Sequence, residues 1–170
     1  MNPVGDLLGA GDVALDLDVS GKYPLLERMA SMLAQRSPLP VGAVLESLLA
    51  REELGSTALG HGVAIPHARM PECVSPAGVF IRTKFGIDFD APDGKPVSLF
   101  LGLIVPKQAA ERHLKLLAAA ASMFGDRAFR DRLRACSDAD EARTLIASWP
   151  AGSDAIAVPQ PSPPPDRQRG

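Results

Sequence analysis

The chain has 170 residues, of which 46% are hydrophobic and 22% charged, a balance typical of a globular domain with a sizeable core. Its 18 basic and 20 acidic residues give a net charge of -2, which argues against a general nucleic-acid-binding protein, because such proteins carry a basic surplus. Two cysteines without a CxxC pair, no apolar run near the ~20 residues that span a bilayer, and an acidic amino terminus unlike a signal peptide favour a cytoplasmic protein.

The first predicted elements are one strand and two helices. Residues 13–19 alternate between apolar and other side chains, which is typical of a half-buried strand. Residues 22–35 place their apolar side chains at helical spacing, with Pro24 in the first turn. A second helix is predicted from Pro40 to Glu53, and Gly55 is well placed to end it.

In the middle of the chain, short apolar runs are separated by glycine, proline and aspartate. This pattern predicts several strands, with a turn at Pro92-Asp93-Gly94. The predicted strands are Gly62–Ile65, Gly78–Thr83, Ile87–Phe89 and Val97–Val105.

Three more helices are predicted after the last strand. The first runs from Ala109 to Phe124 and has a predicted buried stripe at positions 114, 117, 118 and 121. The second covers 126–135, with Asp126 as its N-cap, and the third opens at Ser137, with Asp140 three residues on in the manner of a capping box. Helices, then strands, then helices indicate a domain of the α/β class.

The composition changes after Trp149. The segment VPQPSPPPDRQRG is rich in proline and polar residues, and it cannot bury enough apolar surface to offset the entropy cost of ordering. We therefore predict one domain over residues 1–150 and a disordered proline-rich tail over residues 151–170.

One histidine stands out in the segment REELGSTALGHGVAIPHAR at residues 51–69. An apolar run at 63–65 leads into Pro66 and then His67. Because proline cannot donate to a sheet ladder, we expect pairing to end there and His67 to lie at a sheet edge. A partly exposed, rigidly held imidazole that titrates near neutral pH suits a nucleophile or a proton carrier. A hydrogen-bonded surface histidine is the structural alternative.

His113 and Arg51 are two further candidates, and each also has a purely structural alternative. His113 lies near the start of helix 109–124, where backbone N–H groups favour an anion, but it could equally shield the core at the border of the buried face. Arg51 lies in the last turn of helix 40–53, where a cation complements the helix dipole. A guanidinium is also the side chain best suited to binding a phosphoryl group.

A metal site is a further possibility. His61, His67 and His113 could in principle form an open zinc site. However, His61 and His67 are six residues apart across a predicted strand, so their side chains need not converge, and no HExxH or CxxC element supports a metal. Because GxGxxG and Walker loops are also absent, we expect neither a metal nor a nucleotide or other cofactor.

The segment that contains His67 resembles a known signature. The stretch from Glu52 through Leu59-Gly60 to VAIPHA at 63–68 is similar to the signature of the fructose/mannitol-type IIA components of the bacterial phosphotransferase system. The similarity extends from DLDVSGK at 16–22 to the SDADEARTLI segment, and so covers about residues 5–148. The resemblance implies a single α/β domain in which a mixed β-sheet is flanked by helices on both faces.

The resemblance also implies a role for each candidate residue. His67 would be the phosphoryl acceptor, receiving phosphate from the phosphohistidine of an HPr- or NPr-like phosphocarrier. Arg51, in the RE-x-x-GST segment, matches the active-site arginine of the family, and His113, in VPKQAAERHLKLL, matches a second active-site histidine that binds the phosphate or the acceptor ring. The chain would then be a phosphotransferase component with a phosphohistidine intermediate and no cofactor.

Members of this family have two main outputs. Sugar-transport members pass phosphate to a IIB protein, whereas nitrogen-related members bind targets such as potassium transporters or sensor kinases. The REELGST and LIVP segments are more similar to the nitrogen-regulatory branch, so we expect a regulatory output in nitrogen or potassium metabolism. A sugar-specific IIA component is the first alternative, and a regulatory binding module that is independent of phosphorylation is the second. We expect no nucleic-acid partner and no membrane insertion.

Overall fold

The computed structural model describes residues 2–150, in which helices pack on both faces of a six-stranded sheet. The tail predicted at 151–170 lies outside the described residues. The strands are β1 (Val13–Leu17), β2 (Ala58–Gly60), β3 (Val63–Ala64), β4 (His67–Met70), β5 (Ala77–Ile87) and β6 (Val97–Pro106). The helices are α1 (Lys22–Gln35), α2 (Val41–Glu53), α3 (Ala110–Gly125), α4 (Arg127–Ala135) and α5 (Ala139–Ala147).

The sheet has the order β1-β5-β6-β3-β2, and β4 also pairs with β6. Its two long central strands, β5 and β6, are antiparallel, whereas β1 is parallel to β5, and β3 and β4 are parallel to β6. The predicted α/β class with a mixed sheet is therefore confirmed. The separate strand predicted at 87–89 is wrong, because β5 continues to Ile87 across a register shift that follows Arg82. The predicted turn is present, and the Gly94 N–H donates to the Ala91 carbonyl at 3.0 Å.

Each face of the sheet has its own hydrophobic core. Helices α1 and α2 pack on one face, where Met29 and Leu48 join Phe100 of β6. Helices α3, α4 and α5 cover the other face, which receives Leu101, the next residue of β6, because successive side chains of a strand point to opposite sides. At Gly102 a Cβ atom would lie 2.5 Å from the Met29 sulfur, so glycine is what allows α1 to approach the sheet this closely. No helix within residues 2–150 is long and apolar enough to cross a membrane.

Side-chain caps fix the starts of α4 and α5. Asp126 caps α4 as predicted and accepts hydrogen bonds from the N–H groups of Ala128 and Phe129. The start predicted at Ser137 is wrong by one residue, because Asp138 caps α5 and accepts from the Glu141 N–H at 2.9 Å. The Glu141 carboxylate in turn accepts from the Ser137 N–H at 2.9 Å. Glutamate is long enough to reach back in this way, which favours this pairing over the predicted one.

Arg82 connects β5 to the carboxyl end of α4. It is buried, and its Nη1 donates to the carbonyls of Leu133 at 3.0 Å and Cys136 at 2.8 Å. Its Nη2 lies 3.0 Å from a carboxylate oxygen of Asp16, which follows the middle of β1. The last carbonyls of a helix have no partner within the helix, so Arg82 supplies donors that α4 lacks. One side chain thus holds a helix and two strands together.

Replacing Arg82 by methionine should lower the free energy of unfolding by about 3 kcal/mol, because buried carbonyls lose their donors and Asp16 loses its partner. Urea denaturation followed by circular dichroism measures the change. Arg132→Met, at an exposed position of α4, is the matched control and should change stability by less than about 0.5 kcal/mol. Equal stability of the two variants would show that Arg82 does not hold α4 in place.

Candidate active site

Strands β3 and β4 pair with β6 in one continuous register, although Pro66 interrupts them. Val63 lies opposite Leu99 and His67 lies opposite Leu103, four residues further along both strands. The Pro66 carbonyl accepts a hydrogen bond from the Leu103 N–H at 3.0 Å. The expectation that pairing ends at Pro66 is therefore wrong. Proline lacks only the N–H group, so its carbonyl still joins the ladder and pairing resumes at His67.

The imidazole of His67 is held in one tautomer by the main chain. Its Nδ1 lies 2.8 Å from the Ile65 carbonyl oxygen, and because a carbonyl can only accept, Nδ1 carries the proton. The lone pair is then on Nε2. Burial lowers the pKa of His67, and the nearby Arg51 lowers it further, against opposing contributions from the Ile65 hydrogen bond and Glu52. The ring is therefore neutral at pH 7, with Nε2 available as a nucleophile.

His113 lies next to this ring. The two ring centroids are 5.2 Å apart, and the ring planes are inclined by 46°. His113 is only 8% exposed, and its Nδ1 is buried without a hydrogen-bond partner among residues 2–150. Burial lowers the pKa of His113, and the nearby His67, Arg69 and Arg51 lower it too. The pair is thus two neutral imidazoles, one of which has a nitrogen with unused hydrogen-bonding capacity.

The buried face of α3 differs from the predicted one. His113 belongs to the buried face together with Leu116 and Ala120, whereas Leu114, predicted to lie on the buried stripe, is 66% exposed. The sequence HLKLLAAAASMF has apolar residues on every side of the helix, so its pattern does not define a single buried face. The consequence for the site is that His113 points inward, towards His67.

Arg51 lies at the carboxyl end of α2, facing the two histidines across a cleft. Its Nη1 donates to the Gly55 carbonyl at 2.8 Å, and no carboxylate pairs with its guanidinium within residues 2–150. The cleft has a volume of about 600 Å³. The three predicted site residues therefore meet in one place. The residues that line this cleft are Ser47, Ala50, Arg51, Leu54, His67, Ala68, Arg69, Ala110, His113 and Leu114.

The sequence reasoning missed Arg69 and Glu52. Arg69 lines the cleft because it lies two residues after His67 on β4, and alternate residues of a strand share a face. A strand predicted at 67–70 would have identified it. Glu52 is buried beside Arg51, where its carboxylate accepts from the Thr57 N–H at 3.1 Å and from the Thr57 hydroxyl, and pairs with Lys22 Nζ at 2.9 Å. Glu52 thereby fixes the loop that contains Gly55, and the Gly55 carbonyl in turn holds the Arg51 side chain.

The charges around the cleft favour an anion. Arg51 and Arg69 provide two guanidinium groups, and Ala110, the first residue of α3, lines the cleft at the positive end of the helix dipole. Within residues 2–150, histidine, cysteine, aspartate and glutamate side chains form no group of three that could hold a metal ion. The arrangement combines a neutral nucleophilic nitrogen with guanidinium groups suited to phosphoryl oxygens.

Comparison with known proteins gives a consistent result. The family described as "Phosphoenolpyruvate-dependent sugar phosphotransferase system, EIIA 2" matches residues 6–149. A protein named "Nitrogen regulatory protein" from Bradyrhizobium diazoefficiens is 38% identical over 149 residues, which is 88% of this chain and 97% of that protein. Another of the same name, from Pseudomonas aeruginosa, is 39% identical over 141 residues, 82% of this chain and 92% of its own length.

A solved structure extends the similarity to three dimensions. The crystal structure of the nitrogen regulatory protein IIA-Ntr from Neisseria meningitidis is 43% identical in sequence and superimposes with a TM-score of 0.82, covering 84% of this chain and 98% of that chain. The family match over nearly all of the described residues and the shared fold agree. The chain therefore belongs to the EIIA 2 family of the phosphoenolpyruvate-dependent sugar phosphotransferase system, whose members are phosphotransferase components.

Proposed function

We propose that this protein accepts a phosphoryl group on Nε2 of His67 from an HPr- or NPr-like phosphocarrier, and that its phosphorylation state has a regulatory output. The observation that carries the proposal is the hydrogen bond that His67 Nδ1 donates to the Ile65 carbonyl. This bond occupies Nδ1 and leaves the Nε2 lone pair free beside His113 and Arg51. A neutral imidazole in a positively charged cleft is what an attack on a phosphoryl group requires.

The proposed step is an in-line exchange of one phosphorus–nitrogen bond for another. The Nε2 lone pair attacks phosphorus, the bond from phosphorus to the carrier's imidazole nitrogen breaks, and its electron pair returns to that nitrogen. Nδ1 keeps its proton throughout. The positive charge that develops on the His67 ring is stabilised by the Ile65 carbonyl, 2.8 Å away. Water must be excluded from the reacting groups during this step, because it would hydrolyse the phosphohistidine.

Arg51, Arg69 and His113 would stabilise the phosphoryl oxygens during transfer. Arg51 is pre-positioned by its bond to the Gly55 carbonyl, so it need not reorganise when the phosphoryl group arrives. The buried Nδ1 of His113 has no partner among the described residues, and a neutral imidazole can donate one hydrogen bond from whichever nitrogen carries the proton. Preorganised donors of this kind stabilise the developing charge without the free-energy cost of reorganising solvent.

The rim of the cleft suits a protein partner. Leu54 is 85% exposed and Leu114 is 66% exposed, and both line the cleft that contains His67. Large apolar side chains that surround a polar centre are typical of protein-binding surfaces. A phosphocarrier docked on Leu54 and Leu114 would exclude water from the reacting groups and could dissociate readily after transfer.

The regulatory output is supported by similarity to proteins named nitrogen regulatory protein, at 38% and 39% identity over most of both chains. We propose that the targets are proteins such as a potassium transporter or a sensor kinase, bound differently by the two phosphorylation states. A phosphoryl group adds about -1.5 to -2 charges between Leu54 and Leu114, so it would change which surface this rim can bind. Transfer onward to a IIB protein would instead indicate a sugar-specific role.

His67→Ala should abolish acid-labile phosphate labelling in a reconstituted relay of phosphoenolpyruvate, enzyme I and phosphocarrier, because the accepting nitrogen is removed. The fold should be retained, since His67 is partly exposed. His61→Asn is the matched control: it removes a histidine outside the cleft and keeps a residue type that tolerates the φ of +57° found there. It should be labelled at the native level. Full labelling of His67→Ala would contradict the proposal.

Arg51→Lys should slow phosphoryl transfer by roughly tenfold or more, because an ammonium group cannot reproduce the paired N–H donors of guanidinium. Rapid-quench measurement of the transfer rate at saturating carrier separates this effect from weaker docking. Arg28→Lys, at an exposed position of α1 outside the cleft, is the control. If both variants transfer at the native rate, Arg51 is only a cation at the end of a helix.

A further inference from the structure

A second cleft lies at the other end of β6, where α4 passes the turn between β2 and β3. It has a volume of about 410 Å³ and is bounded by Gly62 and Pro96. Pro96 immediately precedes β6, whereas His67 pairs with Leu103, so the two clefts are roughly 20 Å apart at the rise of a strand. Four cationic side chains and one carboxylate line the second cleft: Lys95, Arg127, Arg130, Arg134 and Asp131. We call it the basic cleft.

Arg130 is the most deeply placed of these cations. It is only 6% exposed, its Nη1 donates to the Phe124 carbonyl at 2.9 Å, and its Nε is buried without a hydrogen-bond partner within residues 2–150. A carbonyl oxygen satisfies a donor but does not neutralise a charge. A buried guanidinium without a carboxylate is costly, and a bound anion would remove much of that cost.

Arg134 is fixed beside Arg130 in a similar way. Its Nη2 donates to the His61 carbonyl at 2.6 Å. A Cβ atom at Gly62, whose φ is +78°, would lie 2.8 Å from that nitrogen, so glycine keeps this space open for the guanidinium. Burial and the neighbouring Arg130 lower the pKa of Arg134, as expected for cations that are crowded together. Both guanidinium groups are thus held by main-chain carbonyls before any ligand arrives.

Two carboxylates lie near these cations, one inside the cleft and one beside it. Asp131 lies 3.9 Å from Arg127 Nε and 3.8 Å from Arg134 Nη1, beyond hydrogen-bond distance. The Asp93 carboxylate is not part of the cleft lining; it accepts hydrogen bonds from the main-chain N–H groups of His61 and Lys95 at 2.9 Å and 3.1 Å, which fix its position and leave its charge in place. Among the residues that the structure describes, four cations against one carboxylate leave a surplus of three positive charges in the lining of the basic cleft.

We propose that the basic cleft binds a small molecule through a pyrophosphate group. Each phosphoryl group carries about -1.5 to -2 charges, so two linked groups match a surplus of three better than one group does. Guanidinium groups bind phosphoryl oxygens through paired, charge-assisted hydrogen bonds. Among the described residues, no phenylalanine, tyrosine or tryptophan lines the cleft, and His61 supplies its one aromatic ring, so we assign recognition to the pyrophosphate group, which the cations can bind.

The test is a titration of the full-length protein with inorganic pyrophosphate in a phosphate-free buffer at fixed ionic strength, followed by calorimetry and by amide chemical shifts. Binding should saturate below about 1 mM ligand, a modest affinity for an open, charged site. Orthophosphate should bind at least about tenfold more weakly, since it engages fewer of the cations. No saturable binding of pyrophosphate would overturn the proposal.

Substitutions on α4 test which of its arginines bind pyrophosphate. Arg130→Met should weaken binding about tenfold or more, and Arg127→Gln, which changes an exposed side chain and leaves the packing intact, about threefold or more. Arg132→Gln, on the same helix but outside the basic cleft, should bind like the native protein. Equal weakening by Arg132→Gln and Arg127→Gln would show attraction to the helix as a whole and contradict a defined site.

A gain of affinity provides a second test. Asp131→Asn removes the one carboxylate of the basic cleft and should tighten pyrophosphate binding about threefold or more. Asp140→Asn changes the net charge of the protein by the same amount outside the basic cleft and should have little effect. Equal tightening by both variants would indicate a general charge effect and would contradict the site.

Amide chemical shifts show which of the two clefts binds pyrophosphate. A comparison with ADP shows whether the pyrophosphate group or the nucleoside is recognised. Pyrophosphate should shift the amides of Gly62 and residues 127–134; shifts confined to Arg51 and His67 would mean binding at the first cleft and contradict the proposal. ADP and inorganic pyrophosphate should bind with similar affinity. Binding of ADP without binding of inorganic pyrophosphate would show recognition of the nucleoside and equally contradict it. Neither result depends on phosphorylation of His67.

Discussion

The hydrogen bond from Nδ1 of His67 to the Ile65 carbonyl is the interaction on which the candidate active site depends. It exists because Pro66 interrupts the edge of the sheet without changing the register on β6, so that His67 returns to the ladder two residues after the carbonyl that its ring contacts. The same bond fixes the tautomer, leaves Nε2 as the free nitrogen and limits the rotation of the ring. The geometry of one strand break thus determines which atom can react.

Two other elements bring the remaining groups to that nitrogen. The buried Glu52 joins Lys22 at the start of α1 to Thr57, just before β2, and so holds the loop whose Gly55 carbonyl positions Arg51. The first turn of α3 carries His113, buried within 5.2 Å of the His67 ring, centroid to centroid. These contacts belong to the fold itself, so the cleft is preorganised before a phosphocarrier binds.

The sequence allowed the prediction of the fold class, of α1 and α2, and of the three residues that converge in the cleft, because long amphipathic helices and a specific signature are strong local signals. It did not allow prediction of β4, since the rule that proline ends sheet pairing ignores its intact carbonyl. The buried face of α3 was missed because apolar residues surround the helix, and Arg69 was missed with β4. The basic cleft was not predicted as a site. The arginines at positions 127, 130 and 134 recur at helical spacing on α4, but Lys95 joins them only through the packing of α4 against the end of β6, which no local pattern encodes.

The most direct test of the account is the identity of the phosphorylated nitrogen. Protein labelled with nitrogen-15 at its histidines is phosphorylated through the relay, and long-range proton–nitrogen correlations together with phosphorus–nitrogen coupling identify the atom that bears phosphate. The account predicts phosphate on Nε2 of His67, with the proton still on Nδ1 and hydrogen-bonded to the Ile65 carbonyl. Phosphate on Nδ1 of His67, or on His61 or His113, would contradict the account, because the bond that defines the tautomer would then not direct the chemistry.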